Sequence, residues 1–166
     1  MVEILAAPPA RRLVLWGDAA VAERAGAAIG LSLPTAPGGA AEAGARAALW
    51  LGPGEWLLLA PEEDDLAPAL SAALAGMAHA LVDVSDGFAG IVLRGPGAAR
   101  ALSAGCTLDL EEGAFPPGRA TRTVLGRVGI TLWRHAAEEW RLEVGRSQAA
   151  YARDFLAEAA RGMPGF

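Results

Sequence analysis

Two tryptophan-bearing hairpins, placed alike in the two halves of the chain, restrict its fold more than any other feature. Leu49-Trp50-Leu51 leads through Gly52-Pro53-Gly54 to Glu55-Trp56 and an apolar run. Leu132-Trp133-Arg134 leads through His135–Glu139 to Trp140 and a second run ending at Val144. Trp50 falls on Trp133 at an offset of 83 residues, and Trp56 falls on Trp140 at 84. A strand, a Gly turn and an Ala-rich helix stand ahead of each hairpin. Leu13–Gly26 lies on Ile91–Ala104 at an offset of 78, which carries Gly17 onto Gly95. A helix follows each hairpin. Two copies are too few, and their period too long, for a solenoid. Chance similarity competes for the Ala-rich helices, but not for the paired Leu-Trp hairpins.

The consequence is an α+β fold. It is an internally duplicated strand–helix–hairpin–helix unit, with pseudo-repeats over about 12–75 and 81–160. Antiparallel sheets bury one face and helices cover them. The whole of 1–166 reads as one domain, or two small halves sharing a core. A chain of 166 residues buries roughly two thirds of its unfolded surface, enough to fold without disulfide or metal. The paired tryptophans are expected as core or sheet-edge anchors rather than ligand platforms.

In chain order, Arg12–Trp16 reads as a strand and Ala19–Ile29 as a helix, with Asp18 as N-cap and Gly30 as C-cap. Pro34–Gly44, rich in Pro, Gly and Ala, reads as a mobile loop. Pro61 is expected to open a helix running to about Leu74, with Glu62, Glu63, Asp64 and Asp65 facing the positive end of its dipole. In the middle, Leu81–Val84 and Ala89–Leu93 read as strands, Gly95-Pro96-Gly97 as a turn, and Ala98–Leu102 as helical. Glu111–Gly118 is a loop. Ala120–Leu125, Val128–Arg134 and Trp140–Val144 are strands, and Arg146–Ala160 is the last helix.

Net charge is −5, which argues against a general nucleic-acid binder. Every basic residue is arginine, so no lysine is present to form a Schiff base or cradle a phosphate. The single cysteine, Cys106, permits no internal disulfide, which fits a reducing cytoplasm. The amino terminus has no basic segment before an apolar core, so it does not read as a signal peptide. No apolar run approaches the roughly 20 residues of a membrane helix.

Catalytic parts are scarce. His79 and His135 have no Cys, Asp or second His at metal-ligand spacing. Cys106 has no basic neighbour to lower its pKa. Ser85, between Asp83 and Asp86, is turn chemistry. Gly95-Pro96-Gly97 fails as a dinucleotide loop, because a third glycine is missing and Pro96 removes an N–H. What is left is surface. Six arginines fall between Arg119 and Arg146: Arg119, Arg122, Arg127, Arg134, Arg141 and Arg146. Phe115-Pro116-Pro117-Gly118 offers an aromatic, expected to be exposed, beside rigid prolines. Arginine, aromatic and proline together suit a protein–protein contact. Phe115, Pro116, Arg119, Arg122, Arg127 and Arg134 are the candidate partner interface, and a solvated sheet face is the competing reading.

These motifs carry a resemblance. GLSLPTAP at Gly30, ALWLGPGEWLLLAP at Ala48, VDVSDGFAGIVLRGPGAARALSAGCTLDL at Val82, AFPPGRATRT at Ala114 and LWR at Leu132 together resemble the gamma subunit family of heterotetrameric sarcosine oxidase. The resemblance covers about Leu13 to Leu156. In that family an acidic residue commonly stands where Gly54 does, which reads as a minor turn change, and a longer amino-terminal segment is often present. The resemblance implies a fold related to the folate-binding domain of glycine-cleavage T proteins, with an internal duplication. It implies a complex that oxidises sarcosine to glycine, giving hydrogen peroxide and a one-carbon unit as formaldehyde or methylene-tetrahydrofolate. It places FAD, FMN, NAD, tetrahydrofolate and zinc on the alpha, beta and delta subunits and none on this chain. The expectation is a cytoplasmic, non-catalytic assembly subunit without activity of its own. The alternatives are a stand-alone folate- or pterin-binding module and a self-associating protein, homodimeric through its sheet edges.

Overall fold

A computed structural model describes residues 1–162 as two compact units. One is Pro8–Ser85; the other is Met1–Ala7 together with the chain from Asp86 onward. In chain order the elements are β1 (Glu3–Ala6), β2 (Ala10–Trp16), α1 (Ala19–Ile29), β3 (Ala40–Ala43), β4 (Arg46–Gly52), β5 (Glu55–Pro61) and α2 (Ala67–Ala73), then β6 (Ala80–Asp83), β7 (Phe88–Arg94), α3 (Ala98–Ser103), β8 (Arg119–Leu125), β9 (Val128–Ala136), β10 (Glu139–Gly145) and α4 (Ala149–Arg161).

Each unit holds one five-stranded sheet, antiparallel at every pairing. The orders are β6-β2-β5-β4-β3 and β1-β7-β10-β9-β8. Read position by position, these are one topology used twice. The repeat is longer than the sequence suggests: strand, strand, helix, three strands, helix. Its first strand is exchanged. β1 pairs with β7 and β6 pairs with β2, so the strand that opens each repeat completes the sheet of the other.

The local signals explain most elements. Asp18 caps α1 by accepting from Val21 N–H at 2.9 Å, and Gly30 ends it at φ 65°. Val21, Ala22, Ala25 and Ile29 form its inner face. They pack with Leu13, Leu15, Trp56 and Leu58 of the sheet and with Leu66, Leu70 and Leu74 around α2. In the second unit Leu93, Leu132, Trp140, Leu142 and Val144 meet Ala98, Ala101 and Leu102 of α3 and Ala152 and Leu156 of α4. Gly17 N–H donates to Gly54 C=O at 3.0 Å, and Gly95 N–H donates to Glu138 C=O at 2.9 Å. The repeated glycine therefore ties the end of β2 or β7 to the turn of the neighbouring hairpin in both units.

Four expectations need correction. The Pro34–Gly44 segment is not all loop, because Ala40–Ala43 pairs with β4 as an edge strand. Pro61 ends β5 rather than opening a helix, and α2 begins at Ala67 with a proline in its first turn. The acids at 62–65 therefore precede the helix, and Asp64 is taken by Arg46. The hairpins also align differently. Trp50 faces Trp56, whereas Trp140 faces Arg134 and Trp133 faces Arg141. With Trp56 and Trp140 as equivalents, Trp50 corresponds to Arg134 and Leu49 to Trp133. Finally, Gly54 stands at φ 69° with its Cβ direction 2.6 Å from Gly17 C=O, so an acidic residue there is no minor change in this chain.

Candidate functional site

The arginine-rich region lies in the unit built on β7–β10 and starts in the loop after α3. Asp109 accepts from Glu111 N–H at 3.0 Å, and Glu111 C=O accepts from Phe115 N–H at 2.8 Å. This double turn drives the Phe115 ring inward. Pro116 and Pro117 bring the chain back out, and Gly118 N–H donates to Arg134 C=O at 2.8 Å to start β8. Phe115 stacks on Trp140 with centroids 5.6 Å apart and planes at 27°. Arg134 lies over the Trp140 ring at 5.0 Å, and Arg119 lies over Phe115 at 5.9 Å. The result is a ladder of cation, aromatic, aromatic and cation.

Two of the expected surface residues are therefore core. Phe115 is 3% exposed and Arg134 6%. Arg134 is buried because it continues the core face of Ile130 and Leu132, over Trp140 and under the Phe115 loop, and two backbone carbonyls serve its guanidinium. Nη1 donates to Phe115 C=O and Nη2 to Ala137 C=O, each at 2.8 Å. Its Nε and the Trp140 Nε1 are buried without a partner. Pro116, Arg119, Arg122 and Arg127 are exposed, as expected. Arg141 is spent on the buried Glu143, Nε to Oε1 at 2.7 Å, and Arg146 Nε donates to Asp86 C=O at 2.6 Å. Of the six, Arg119, Arg122 and Arg127 lie exposed on or beside β8. Sequence reading missed this sorting. The signal for it was register: at period two Arg134 continues the face of the apolar Ile130 and Leu132.

The tryptophan expectation holds for three rings. Trp56, Trp133 and Trp140 are buried; Trp50 is half-buried and Trp16 exposed. The groups considered for catalysis have structural uses. His79 Nδ1 meets Met77 C=O at 2.9 Å. His135 Nδ1 lies 3.1 Å from Glu139 Oε1 and packs on Trp133. Cys106 is buried, with Sγ 3.7 Å from Thr123 Oγ1. The Asp83 carboxyl lies below its ordinary value because the Ser85 hydroxyl and N–H both hydrogen-bond to it, and Ser85 Oγ in turn accepts from Arg12 N–H. Burial pushes the Glu139 carboxyl up, but hydrogen bonds from Arg94 and His135 outweigh it and set the group low. Among the described residues no three His, Cys, Asp or Glu side chains converge as metal ligands. A depression of about 240 Å³ beside α1 has Glu23, Ser32 and Thr35 as its polar lining. No helix among the described residues is long and apolar enough to cross a membrane.

This geometry fixes the loop before β8 to the sheet through ring stacking and two cation–π contacts. The comparisons agree with the fold. The sarcosine oxidase gamma subunit family matches residues 16–161. The sarcosine oxidase subunit gamma of an Arthrobacter species is 41% identical over 127 residues, which are 75% of this chain and 60% of that protein. This chain thus spans well under two thirds of that relative's length. A chain of the heterotetrameric sarcosine oxidase from Corynebacterium sp. U-96, solved with pyrrole 2-carboxylate, superposes with a TM-score of 0.91 at 31% identity, over 96% of this chain and 84% of its own. The glycine cleavage system aminomethyltransferase T of Bartonella henselae shares the fold, with a TM-score of 0.71 at 12% identity over 96% of this chain and 46% of its own. By its sequence and by its duplicated sheet-and-helix architecture, the chain belongs to the sarcosine oxidase gamma subunit family.

Proposed function

We propose that this chain is a structural, assembly-supporting subunit of a cytoplasmic complex that oxidatively demethylates sarcosine. The products are glycine, hydrogen peroxide and a one-carbon unit, released as formaldehyde or passed to tetrahydrofolate. The observation that carries the reading is the superposition of 96% of the chain on a chain of a heterotetrameric sarcosine oxidase. The uses of the polar residues support a non-catalytic part. His79, His135 and Ser85 serve turns and an ion pair, and Cys106 is packed in the core. These donors do not fit zinc: each unit has one histidine, and Cys106 stands among apolar neighbours. FAD, FMN, NAD, tetrahydrofolate and zinc are accordingly assigned to the alpha, beta and delta partners. The exposed Arg119, Arg122 and Arg127 with Pro116 form the contact region.

The test is co-expression with the large subunits, followed by purification through a tag on this chain. A stable complex that oxidises sarcosine, and that fails to assemble when this chain is omitted, is the expected result. Unchanged assembly and turnover without the chain would end the reading, and so would sarcosine oxidation by this polypeptide alone.

A further inference from the structure

We infer that the outer edge of β6 pairs with the same edge of a second copy of this chain; the inference goes beyond the assembly reading above and does not rest on it. β6 is the last strand of its sheet, on the β2 side. Val84 N–H donates to Arg12 C=O at 2.8 Å, and the register runs from Asp83 opposite Leu13 to Ala80 opposite Trp16. Antiparallel pairing alternates, so Ala80 and Val82 bond to β2 while the N–H and C=O of Leu81 and Asp83 point outward. No hydrogen bond among the described residues uses those outward groups. β6 has no proline or lysine to blunt the edge. Its one charge, Asp83, is spent on Ser85 N–H at 2.9 Å and on Arg11 at 3.7 Å.

Apolar side chains are exposed beside this edge. Val82 is 45% exposed and Trp16 38%, and both lie on one face of the sheet. The other unit supplies an internal control. Its equivalent strand is β1, with Leu5 in the place of Val82. There Glu3 and Arg94 stand where Ala80 and Trp16 do, and Arg94 donates to Glu139 at 2.9 Å. A neighbour at β1 would strip water from these charges, whereas one at β6 covers apolar surface. Charge also selects the register. A two-fold axis at Asp83 sets two carboxylates against each other, and one at Val82 sets Asp83 against Leu81. An axis at Leu81 sets Asp83 opposite the copy's His79, whose ring can carry positive charge, and matches outward N–H to outward C=O. It also sets Val82 opposite the copy's Ala80, next to the copy's Trp16. One short strand pair buries far less than the roughly 1,200 Å² of a stable dimer, so this dimer dissociates on dilution.

Sedimentation of the isolated full chain from about 1 μM to about 1 mM tests this. The mass should rise from 17.0 kDa toward twice that value. Amides of 79–83 should exchange at least threefold more slowly at the high concentration than at the low one. Val82→Arg and His79→Asp should each raise the dimer dissociation constant at least tenfold without shifting the monomer's melting temperature. Leu5→Arg, at the equivalent place in β1, should leave that constant unchanged. A chain that stays monomeric throughout, or a dimer that keeps its strength in Val82→Arg, overturns the inference. So does an equal weakening by Leu5→Arg. Amides of 79–83 that slow only when the large subunits are present assign the edge to those subunits, which also overturns it and leaves the assembly reading standing.

Discussion

Trp56 and Trp140 hold the same place in two copies of one hairpin, each on the central strand of its unit's sheet, yet their indole N–H groups fare differently. Trp56 Nε1 donates to Pro34 C=O at 2.7 Å, in the loop before β3. Trp140 Nε1 is buried with no partner. The difference follows from the residue across the strand. Trp56 faces Trp50, which binds the loop only through its backbone N–H, to Gly39 C=O at 2.9 Å, and leaves Pro34 C=O to Trp56; Trp140 faces Arg134. Arg134 takes the carbonyl of Phe115, in the loop before β8, for its own Nη1. A loop carbonyl that serves an indole in one unit thus serves a guanidinium in the other. The charge then lies over the ring face, which returns part of the lost hydrogen bond as a cation–π contact. A duplicated fold can keep strand order and the tryptophan plug while changing what ties its loops down.

The sharpest way to break this comparison is to remove the arginine. Arg134→Leu leaves the Phe115 carbonyl buried without a donor and frees the Ala137 carbonyl, in the exposed turn, to water, which costs about 1–3 kcal/mol. Trp50→Leu, at the equivalent position, should cost under about 1 kcal/mol, because its ring is only half-buried. Urea unfolding of the two variants measures both. Similar losses would mean that Arg134 carries no special role.

The hairpin turns come next. Gly54 has φ 69° and its Cβ direction meets Gly17 C=O, whereas Glu138 accepts the equivalent bond from Gly95 without a left-handed backbone. Gly54→Asp should therefore cost about 1–3 kcal/mol. Glu138→Asp should change stability by under about 0.5 kcal/mol. An unaltered melting temperature for Gly54→Asp would show that the turn relaxes away from Gly17.

How far these differences could be read beforehand depends on what each residue signals locally. The duplication was legible because Gly17, Gly95 and the tryptophans are rare, position-bound residues in an Ala-rich chain. The α+β class followed from it, as did the caps of α1. β1 and β3 were not legible. Each is only four residues long, and Ala-Ala-Glu-Ala has weak strand propensity, so pairing with a neighbour decides its state. The one-residue slip between Trp50 and Arg134 was hidden because the Leu-Trp pair recurs one position early, at Leu132-Trp133, although the facing residues are six apart in both hairpins, Trp50 to Trp56 and Arg134 to Trp140. At the candidate site the exposure of Arg119, Arg122 and Arg127 was legible from their place at turns and an edge. The burial of Phe115 and Arg134 was not. A Phe before two prolines reads as surface, and an arginine reads as solvated unless the two carbonyls that receive it are known.

Conservative changes at the two tryptophans sharpen the contrast further. Trp56→Phe strands Pro34 C=O, whereas Trp140→Phe removes a donor that had no partner. Both lose the same ring area. Trp56→Phe should therefore be the more damaging by about 1 kcal/mol. Equal losses would mean that the Trp140 N–H is satisfied in solution, and a buried water bridging it to Arg134 Nε would then be the group to look for.

The smallest effect separates the two units by pH. Arg46 holds Asp64 through Nε to Oδ2 at 2.6 Å and Nη2 to Oδ1 at 2.9 Å, and it also donates to Ile29 C=O at the end of α1. Those hydrogen bonds set the Asp64 carboxyl below its ordinary 3.8. In the other unit Glu139 is held below its ordinary 4.5 by Arg94 and His135, against the opposing effect of burial. Both folded values are depressed, so each contribution is complete above the ordinary value and is lost as pH falls through the folded one. Asp64 and Arg46 are each about a third exposed, which limits that link to under about 1 kcal/mol. Asp64→Asn should lower the melting temperature slightly at pH 7, and the difference should shrink as pH falls below 3.8 through the folded value. Glu139→Gln should show the same convergence starting nearer 4.5, because its ordinary value is higher. A penalty for Asp64→Asn that persists undiminished at pH 2 would mean that the side chain acts through packing. The bidentate link to Arg46 would then not be what fastens the end of α1 to the start of β4.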